Sequence, residues 1–345
     1  NSRNGAILGY LGGIDYGFSQ YDQIQNKKQV GSTFKPITYL AGLESGIDPC
    51  DFFDNQPITY KKYDNWKPRN ANGSYGGSFS TYGALANSVN TASVAIQLRA
   101  GTNRVLEQAR KMGIEAKIPK VPSIVLGTAD ISLYEMVKAY ASISNGGNQV
   151  NPYIIDRIED HNGVVLYKAT PKYNGRVASY NSIKNLQKMM EFATTNGTGA
   201  SIQNYQIPYN IIGKTGTTQN NGDGWFIGCS PEIVIGAWVG TLDKRVQFNS
   251  TRVGSGASTA LPMVASIFKS MSSWRNPILT NFTYDFKYFP CPPFSEFSSE
   301  ELDSNGYCSF TSDEGYEYEV QITGSPCSYT DEYEASNDAE DDTEA

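Results

Sequence analysis

Ser32 and Lys35 stand three residues apart in Gly31-Ser32-Thr33-Phe34-Lys35-Pro36, and on a helix that spacing puts a hydroxyl and an amine on one face. A serine nucleophile must lose its proton to a base. The single histidine, His161, sits in Glu159-Asp160-His161-Asn162-Gly163, which reads as an exposed hairpin turn and speaks against a Ser-His-Asp triad or a histidine-based metal site. A lysine serves instead, provided burial or a neighbouring cation keeps it neutral. A helix that begins at Ser32 would also offer an N–H to an oxyanion and lower the pKa of a nearby amine.

The Ser-x-x-Lys spacing alone is weak, because it recurs by chance about once in a chain this long. A second copy, Ser266-Ile267-Phe268-Lys269, lies among Val264 and Ala265 and reads as helix packing with a solvated lysine. Ser-x-Asn also occurs twice, at Ser88-Val89-Asn90 and Ser179-Tyr180-Asn181. Lys-Thr-Gly occurs once, in Lys214-Thr215-Gly216-Thr217, on a strand predicted after Ile211 and Ile212. Gly216 would admit a substrate backbone to the strand edge, Thr215 and Thr217 offer hydroxyls to a carboxylate, and Lys214 adds positive charge. An ordinary polar edge strand is the competing reading.

The elements that must position these residues follow from apolar spacing. Residues 6–13 predict a buried strand closed by glycines, and Phe34, Ile37, Leu40, Ala41 and Leu43 a helix ended by Gly46. Residues 47–80 read as irregular, and residues 81–99 as two helices joined near Asn87–Asn90. Helices are predicted at 102–112, 132–145, 180–195 and 262–270, and strands at 211–218, 224–229 and 233–240 as an antiparallel meander that the first strand joins. The sum is an α/β sandwich.

Composition is that of a globular protein, and no apolar run reaches the roughly 18 residues of a membrane span. The chain opens directly in a strand-like stretch, which suggests a fragment lacking its own N-terminal part. The net charge of −7 divides into +9 through residue 295 and −16 beyond, with no Lys or Arg after Lys287. Such a body favours anionic polymers, or the acidic end shields it. Five cysteines without a Cys-x-x-Cys pair argue against zinc, and leave room for one bridge among Cys291, Cys308 and Cys327. We expect a body at 1–283, a small appended module at 284–330 and an acidic disordered tail at 331–345.

Residues 28–36 resemble the nucleophile segment of penicillin-binding proteins, and Gly213–Thr218 followed by Asp223-Gly224-Trp225-Phe226-Ile227-Gly228 resembles their third motif with its paired strand. Trp66-Lys67-Pro68-Arg69-Asn70, Leu126-Gly127, Ala139-Tyr140-Ala141 and Asn145-Gly146-Gly147 are similar to segments of the class A, bifunctional members, so that the resemblance covers roughly residues 4 to 270. It implies the serine β-lactamase/transpeptidase-like fold, an antiparallel sheet flanked by helices plus an all-helical subdomain. The family's motif order selects Ser32 and Ser88 over Ser266 and Ser179, and Val89, where β-lactamases carry Asp, is similar to transpeptidases.

The implied chemistry is D,D-transpeptidation of peptidoglycan stems through a Ser32 acyl-enzyme, with β-lactams as covalent inhibitors. Lys35 is the implied base and Ser88 the proton relay. Lys214 polarises Ser88 and attracts the substrate carboxylate, Thr215 and Thr217 bind that carboxylate, Asn90 binds the acyl-chain amide, and Gly216 opens the strand edge. The implied oxyanion donors are the backbone N–H groups of Ser32 and Thr217. No cofactor, metal or nucleic acid is implied. The partners are donor and acceptor stem peptides and β-lactams, with a glycosyltransferase domain and membrane anchor preceding this region on the extracytoplasmic side of the bacterial inner membrane. A penicillin sensor, a D,D-carboxypeptidase and a β-lactamase are the alternatives.

Overall fold

In the computed structural model, which describes residues 1–17, 20–241, 243, 245–274, 278–299, 307–311 and 317–321, the nucleophile segment enters as β1 (Lys28–Gln29). It turns through a 3₁₀ segment at Gly31–Phe34 into α1 (Lys35–Glu44). Pro36 occupies the first turn of α1, where its missing N–H forfeits no helical bond. Every α1 residue except Glu44 is buried, which makes this the central helix.

Strands β2 (Phe52–Asp54) and β3 (Ser78–Ser80) pair antiparallel. They lead into α2 (Thr81–Ala86), whose N-terminal Gly83 N–H is satisfied by the Ser80 hydroxyl, and α3 (Asn90–Ala100). The predicted break between two helices therefore exists. Next come α4 (Thr102–Lys111), β4 (Asp130–Ile131), which pairs with β1, and α5 (Leu133–Ser144). A reciprocal Ser132–Glu135 capping box opens α5.

Strands β5 (Asn148–Val150), β6 (Arg157–Glu159), β7 (Val165–Lys168) and β8 (Tyr173–Arg176) form two small ribbons, β5 with β8 and β6 with β7. His161 lies exposed in the β6–β7 turn. Helix α6 (Tyr180–Thr195) follows, capped by Ser179, so the second Ser-x-Asn copy is a helix start.

The predicted meander is present as β9 (Ile212–Thr217), β10 (Asp223–Cys229) and β11 (Val234–Gly240), ordered β11-β10-β9 and followed by α7 (Thr251–Gly254) and α8 (Ala260–Ser272). Alternation along β10 sends Trp225 and Ile227 into a core shared with α1 and α5, and Phe226 into a second core under α8. The sheet thus carries helices on both faces, with β9 as an edge against which the 3₁₀ turn and α6 pack. Ser266 and Lys269 are exposed on α8, where the hydroxyl merely bonds Pro262 O.

Three expectations differ from the structure. Residues 6–13 do not join the meander: Ala6 makes one bridge to Tyr153, while Leu8 and Leu11 are 61% and 71% exposed. The N-terminal segment is pinned instead to the β10–β11 turn, where Ser2 N–H donates to Glu232 O at 2.7 Å and Arg3 pairs with the Glu232 carboxylate at 2.6 Å. A short apolar run does not by itself show that a strand has a neighbour to pair with, and the glycines at 5, 9, 12 and 13 weaken extended pairing.

Second, Cys291 bonds to Cys50, 241 positions away, and to neither later cysteine. Third, residues 289–299 are part of the body: β12 (Phe294–Ser295) pairs with β3, giving the order β12-β3-β2, and Ser299 N–H donates to Asp54 Oδ1 at 2.8 Å. Beyond them β13 (Tyr307–Thr311) and β14 (Glu317–Gln321) pair antiparallel, and the acidic stretch 331–345 lies outside the described residues. Among the described residues no helix is long and apolar enough to cross a membrane.

Candidate active site

Gly31 makes the turn that presents Ser32. Its φ of +54° is open to glycine, and a Cβ there would meet the Thr217 backbone at 2.9–3.1 Å, so β9 runs directly against the turn. Thr33 fixes the next position: its hydroxyl donates to Val30 O at 2.6 Å and its carbonyl accepts from the buried Tyr140 hydroxyl at 2.7 Å. Ser32, between these anchors, is half-buried and faces a cleft of about 1480 Å³.

Lys35 is wholly buried one turn on. Its Nζ lies 2.6 Å from Ser88 O, 2.8 Å from Asn90 Oδ1 and 3.1 Å from Ser88 Oγ, and Ser32 Oγ is not among its hydrogen-bond partners. Burial, reinforced by the Lys214 charge, holds this amine well below its ordinary value of 10.5. Ser88 is unusual in its own backbone, with φ +56°, a left-handed conformation that L-residues adopt at a cost. The conformation turns both its carbonyl and its hydroxyl toward Lys35.

Lys214 Nζ approaches the same hydroxyl from the other side, 3.1 Å from Ser88 Oγ, and lies 3.1 Å from Thr215 O and 3.4 Å from Thr198 Oγ1. Its burial lowers its pKa to about 7. An ammonium on Lys35 has three donors for Ser88 O, Ser88 Oγ and Asn90 Oδ1, and loss of one proton would leave a lone pair able to accept the Ser88 proton instead. Ser88 Oγ in turn accepts from Lys214, whose ammonium has three donors for its three oxygen neighbours. Two ammonium groups sharing one hydroxyl would repel, which is why the pair favours one charge.

The first turn of α3 holds Asn90. Val89 supplies no side-chain cap, and Asn70 does so from a distant loop, its Oδ1 accepting from the N–H of Asn90 at 2.9 Å and of Thr91 at 3.3 Å. Asn90 Nδ2 donates to Arg69 O at 2.8 Å, leaving one donor and one acceptor site of the amide open to the cleft.

On β9, Thr215 and Thr217 line the cleft while Lys214 and Gly216 do not. Gly216 faces inward, where a Cβ would stand 2.7 Å from Val30 O and 2.9 Å from Thr33. Its requirement for glycine comes from the packing of the nucleophile turn, a different reason from the substrate approach expected of it. The Thr217 hydroxyl accepts from Gly256 N at 3.1 Å, and Thr215 Oγ1 bonds Thr198 Oγ1 at 2.9 Å.

Thr198 is the site residue that motif reading missed. Asn196-Gly197-Thr198-Gly199 reads only as a helix stop after α6, and it takes the fold to bring that stop against Lys214 and Thr215. Asn55 carries no motif, and Asn70 closes the Trp66–Asn70 segment without any role attached to it: Asn70 Nδ2 donates to Asn55 Oδ1 at 2.6 Å, and Thr91 Oγ1 donates to the same oxygen at 2.8 Å. Among the described residues no group of three His, Cys, Asp or Glu is placed to hold a metal ion.

Comparison with known proteins agrees with this geometry. The family model described as the penicillin binding protein transpeptidase domain matches residues 1–237. Penicillin-binding protein 1A of Rickettsia conorii is 31% identical over 281 residues, covering 74% of this chain and 35% of that protein. Penicillin-binding protein 2D of Bacillus subtilis is 34% identical over 269 residues, covering 74% and 38%. The chain thus spans little more than a third of these relatives. Among solved structures, penicillin-binding protein 1A from Haemophilus influenzae superposes with a TM-score of 0.78 at 25% identity, over 96% of this chain and 53% of that one. PonA1 from Mycobacterium tuberculosis in complex with penicillin V gives 0.69 at 25% identity, over 85% and 82%. With a family model matching more than half of its length, and with three motifs meeting at one cleft, the chain belongs to the penicillin-binding protein transpeptidase family.

Proposed function

We propose that this chain is a D,D-transpeptidase that cross-links peptidoglycan stem peptides through an acyl-enzyme on Ser32, and that β-lactams acylate the same oxygen. The observation that carries the reading is the pair of buried amines, Lys35 and Lys214, each 3.1 Å from Ser88 Oγ behind the wall that presents Ser32. Burial that depresses an amine's pKa leaves a base competent near neutrality.

Ser32 attacks the carbonyl between the two terminal D-alanines as neutral Lys35 takes its proton. Because the resting Lys35 amine is engaged by Ser88 and Asn90 and not by Ser32, substrate entry must first turn it toward Ser32. The oxyanion is held by the N–H groups of Ser32 and Thr217, whose backbones adjoin through Gly31. Ser88 passes a proton to the departing D-alanine amine and takes in exchange the one that Lys35 received from Ser32, while Lys214 polarises the Ser88 hydroxyl. Thr215 and Thr217 hold the terminal carboxylate, and the free sites of the Asn90 amide hold the acyl-chain amide. The amine of a second stem then displaces Ser32 from the ester and restores its proton.

Transfer outruns hydrolysis only if water at the ester lacks a base. None of the described residues lining the cleft is Asp or Glu, which supports a long-lived acyl-enzyme over a β-lactamase. The Cys50–Cys291 bridge suits an oxidising, extracytoplasmic setting. Intact-mass measurement after benzylpenicillin exposure, with peptide mapping, is expected to place one adduct on Ser32 and none in Ser32→Ala. An adduct that persisted in Ser32→Ala would overturn the assignment.

A further inference from the structure

The oxyanion site of the function proposed above, on which this inference rests, takes one N–H from each of two chain segments: Ser32 on the nucleophile turn and Thr217 on β9. Among the described residues β1 pairs with β4 and β9 with β10, and no backbone hydrogen bond joins residues 28–35 to β9. The two segments meet by packing alone, Gly31 against the Thr217 backbone and Gly216 against Val30 O. Packing of this kind bars closer approach but resists separation only weakly.

A cluster just outside the cleft supplies the missing hold. Asp223 opens β10 beside the end of β9, where its Oδ2 accepts from the Thr218 hydroxyl at 2.8 Å and its own N–H donates to Thr218 Oγ1 at 3.0 Å. Thr218 N–H donates to Asp223 O at 3.1 Å, so the residue directly after Thr217 is gripped through backbone and side chain together. The other carboxylate oxygen, Oδ1, accepts from Trp238 Nε1 at 2.8 Å. Trp238 reaches it by lying along β11 over Gly240, where a Cβ would stand 2.6 Å from the indole. The indole face then carries Lys28 of β1, whose Nζ lies 4.1 Å from the ring centroid. That amine is steadied by Gln23 O at 3.1 Å and Asn26 O at 3.4 Å. Burial lowers its pKa, and the Asp223 and Asp22 charges oppose the shift. The contacts thus run unbroken from Thr218, beside one oxyanion donor, to the strand that leads into the other. Lys28, Asp223 and Trp238 do not line the cleft that Ser32 faces, so their influence on a substrate there passes through position.

We infer that Asp223 is a positioning residue for acylation: by gripping Thr218 and holding Trp238 against Lys28, it fixes the spacing of the Ser32 and Thr217 N–H groups that receive the oxyanion. An indole whose N–H donates to a carboxylate is polarised toward its ring face, which strengthens its hold on the Lys28 cation.

The test uses the full chain and benzylpenicillin, and separates the acylation rate constant from the dissociation constant of the complex that precedes it. The carbonyl oxygen gains its charge only in the acylation step, so a mis-set pair of donors slows that step and leaves the preceding complex alone. Asp223→Ala is expected to slow acylation by about 30-fold or more while the dissociation constant moves by less than about threefold. Trp238→Phe keeps a ring for Lys28 and loses the N–H, and it should retain more of the rate than Asp223→Ala. The double variant Lys28→Met/Asp223→Ala should be within about twofold of Asp223→Ala, because parts of one clasp do not add. Thermal melts identify a variant that does not fold. If Asp223→Ala is one, Asp223→Asn carries the same test, since it keeps the volume and an acceptor but not the charge. A folded variant that acylates at the parental rate would overturn the inference, as would a loss lying wholly in the dissociation constant, or losses from Lys28→Met and Asp223→Ala that multiply. A parent that benzylpenicillin does not acylate would instead overturn the enzymatic reading, and the positioning role with it.

Discussion

The proposed mechanism sets Lys35 two demands at once, turning to the Ser32 hydroxyl and being uncharged when it does. An arginine at this position keeps the charge at every accessible pH and cannot act as a base. Lys35→Arg should therefore slow benzylpenicillin acylation by about 10²–10⁴-fold, measured as the second-order rate of adduct formation. The same burial makes the amines a cost to folding. Lys214 binds its proton with a value of about 7 in the folded chain and 10.5 when unfolded. Between those limits the unfolded chain holds more protons, so stability rises with pH from about 7 to 10.5 and loses this dependence below 7. Lys35, lowered as well, acts in the same direction. Denaturant melts at several pH values should show this slope in the parent and a shallower one in Lys214→Met.

At the scale of elements, the site depends on a helix that does not cap itself. Asn70 terminates α3 from another loop and fixes Asn90 by the backbone, while Asn55 fixes Asn70. Asn70→Ala should cost about 1 kcal/mol in denaturant unfolding and should also slow acylation, because Asn90 then loses its backbone anchor beside Lys35. A stability loss with acylation unchanged would show that the cap has no bearing on the chemistry. The elements carrying Ser32, Lys35 and Lys214 were legible in the sequence because each pairs a short motif with local apolar periodicity. The residues that connect them were not. Asn55, Asn70 and Thr198 act across 15, 20 and 16 positions respectively, and polar residues in irregular chain look alike whether they cap, bridge or face water. Residues 6–13 failed in the opposite way: their composition suits a strand, but pairing depends on a neighbouring edge that no local pattern specifies.

Taken whole, the molecule joins its first 50 residues to its last described body segment. The Cys50–Cys291 link closes a loop of 241 positions, and such a link stabilises chiefly by limiting the unfolded chain. Cys291→Ser should lower stability by about 2–5 kcal/mol, visible as a lower melting temperature that the reduced parent shares. Cysteine counting predicted that one bridge had room to form but placed it among the last three, since pairing depends on which segments meet in space. Composition likewise set a boundary near residue 283, at the change to Cys-Pro-Pro and Ser-rich text, although the contacts of residues 289–299 continue the body's own sheet.

That attachment reaches past stability. A polypeptide shortened to end after α8 would retain every motif by which the family is recognised, and it would still carry Ser32 on the cleft and Ser88 between its two amines. It would also bare the thiol of Cys50 and the ring of Phe79, both covered in the intact chain by its own distal end. Under air, two such shortened molecules would become joined sulfur to sulfur, seen as a doubled mass that collapses on reduction, and the minimal unit drawn from motifs would be a sticky fragment of the intact one.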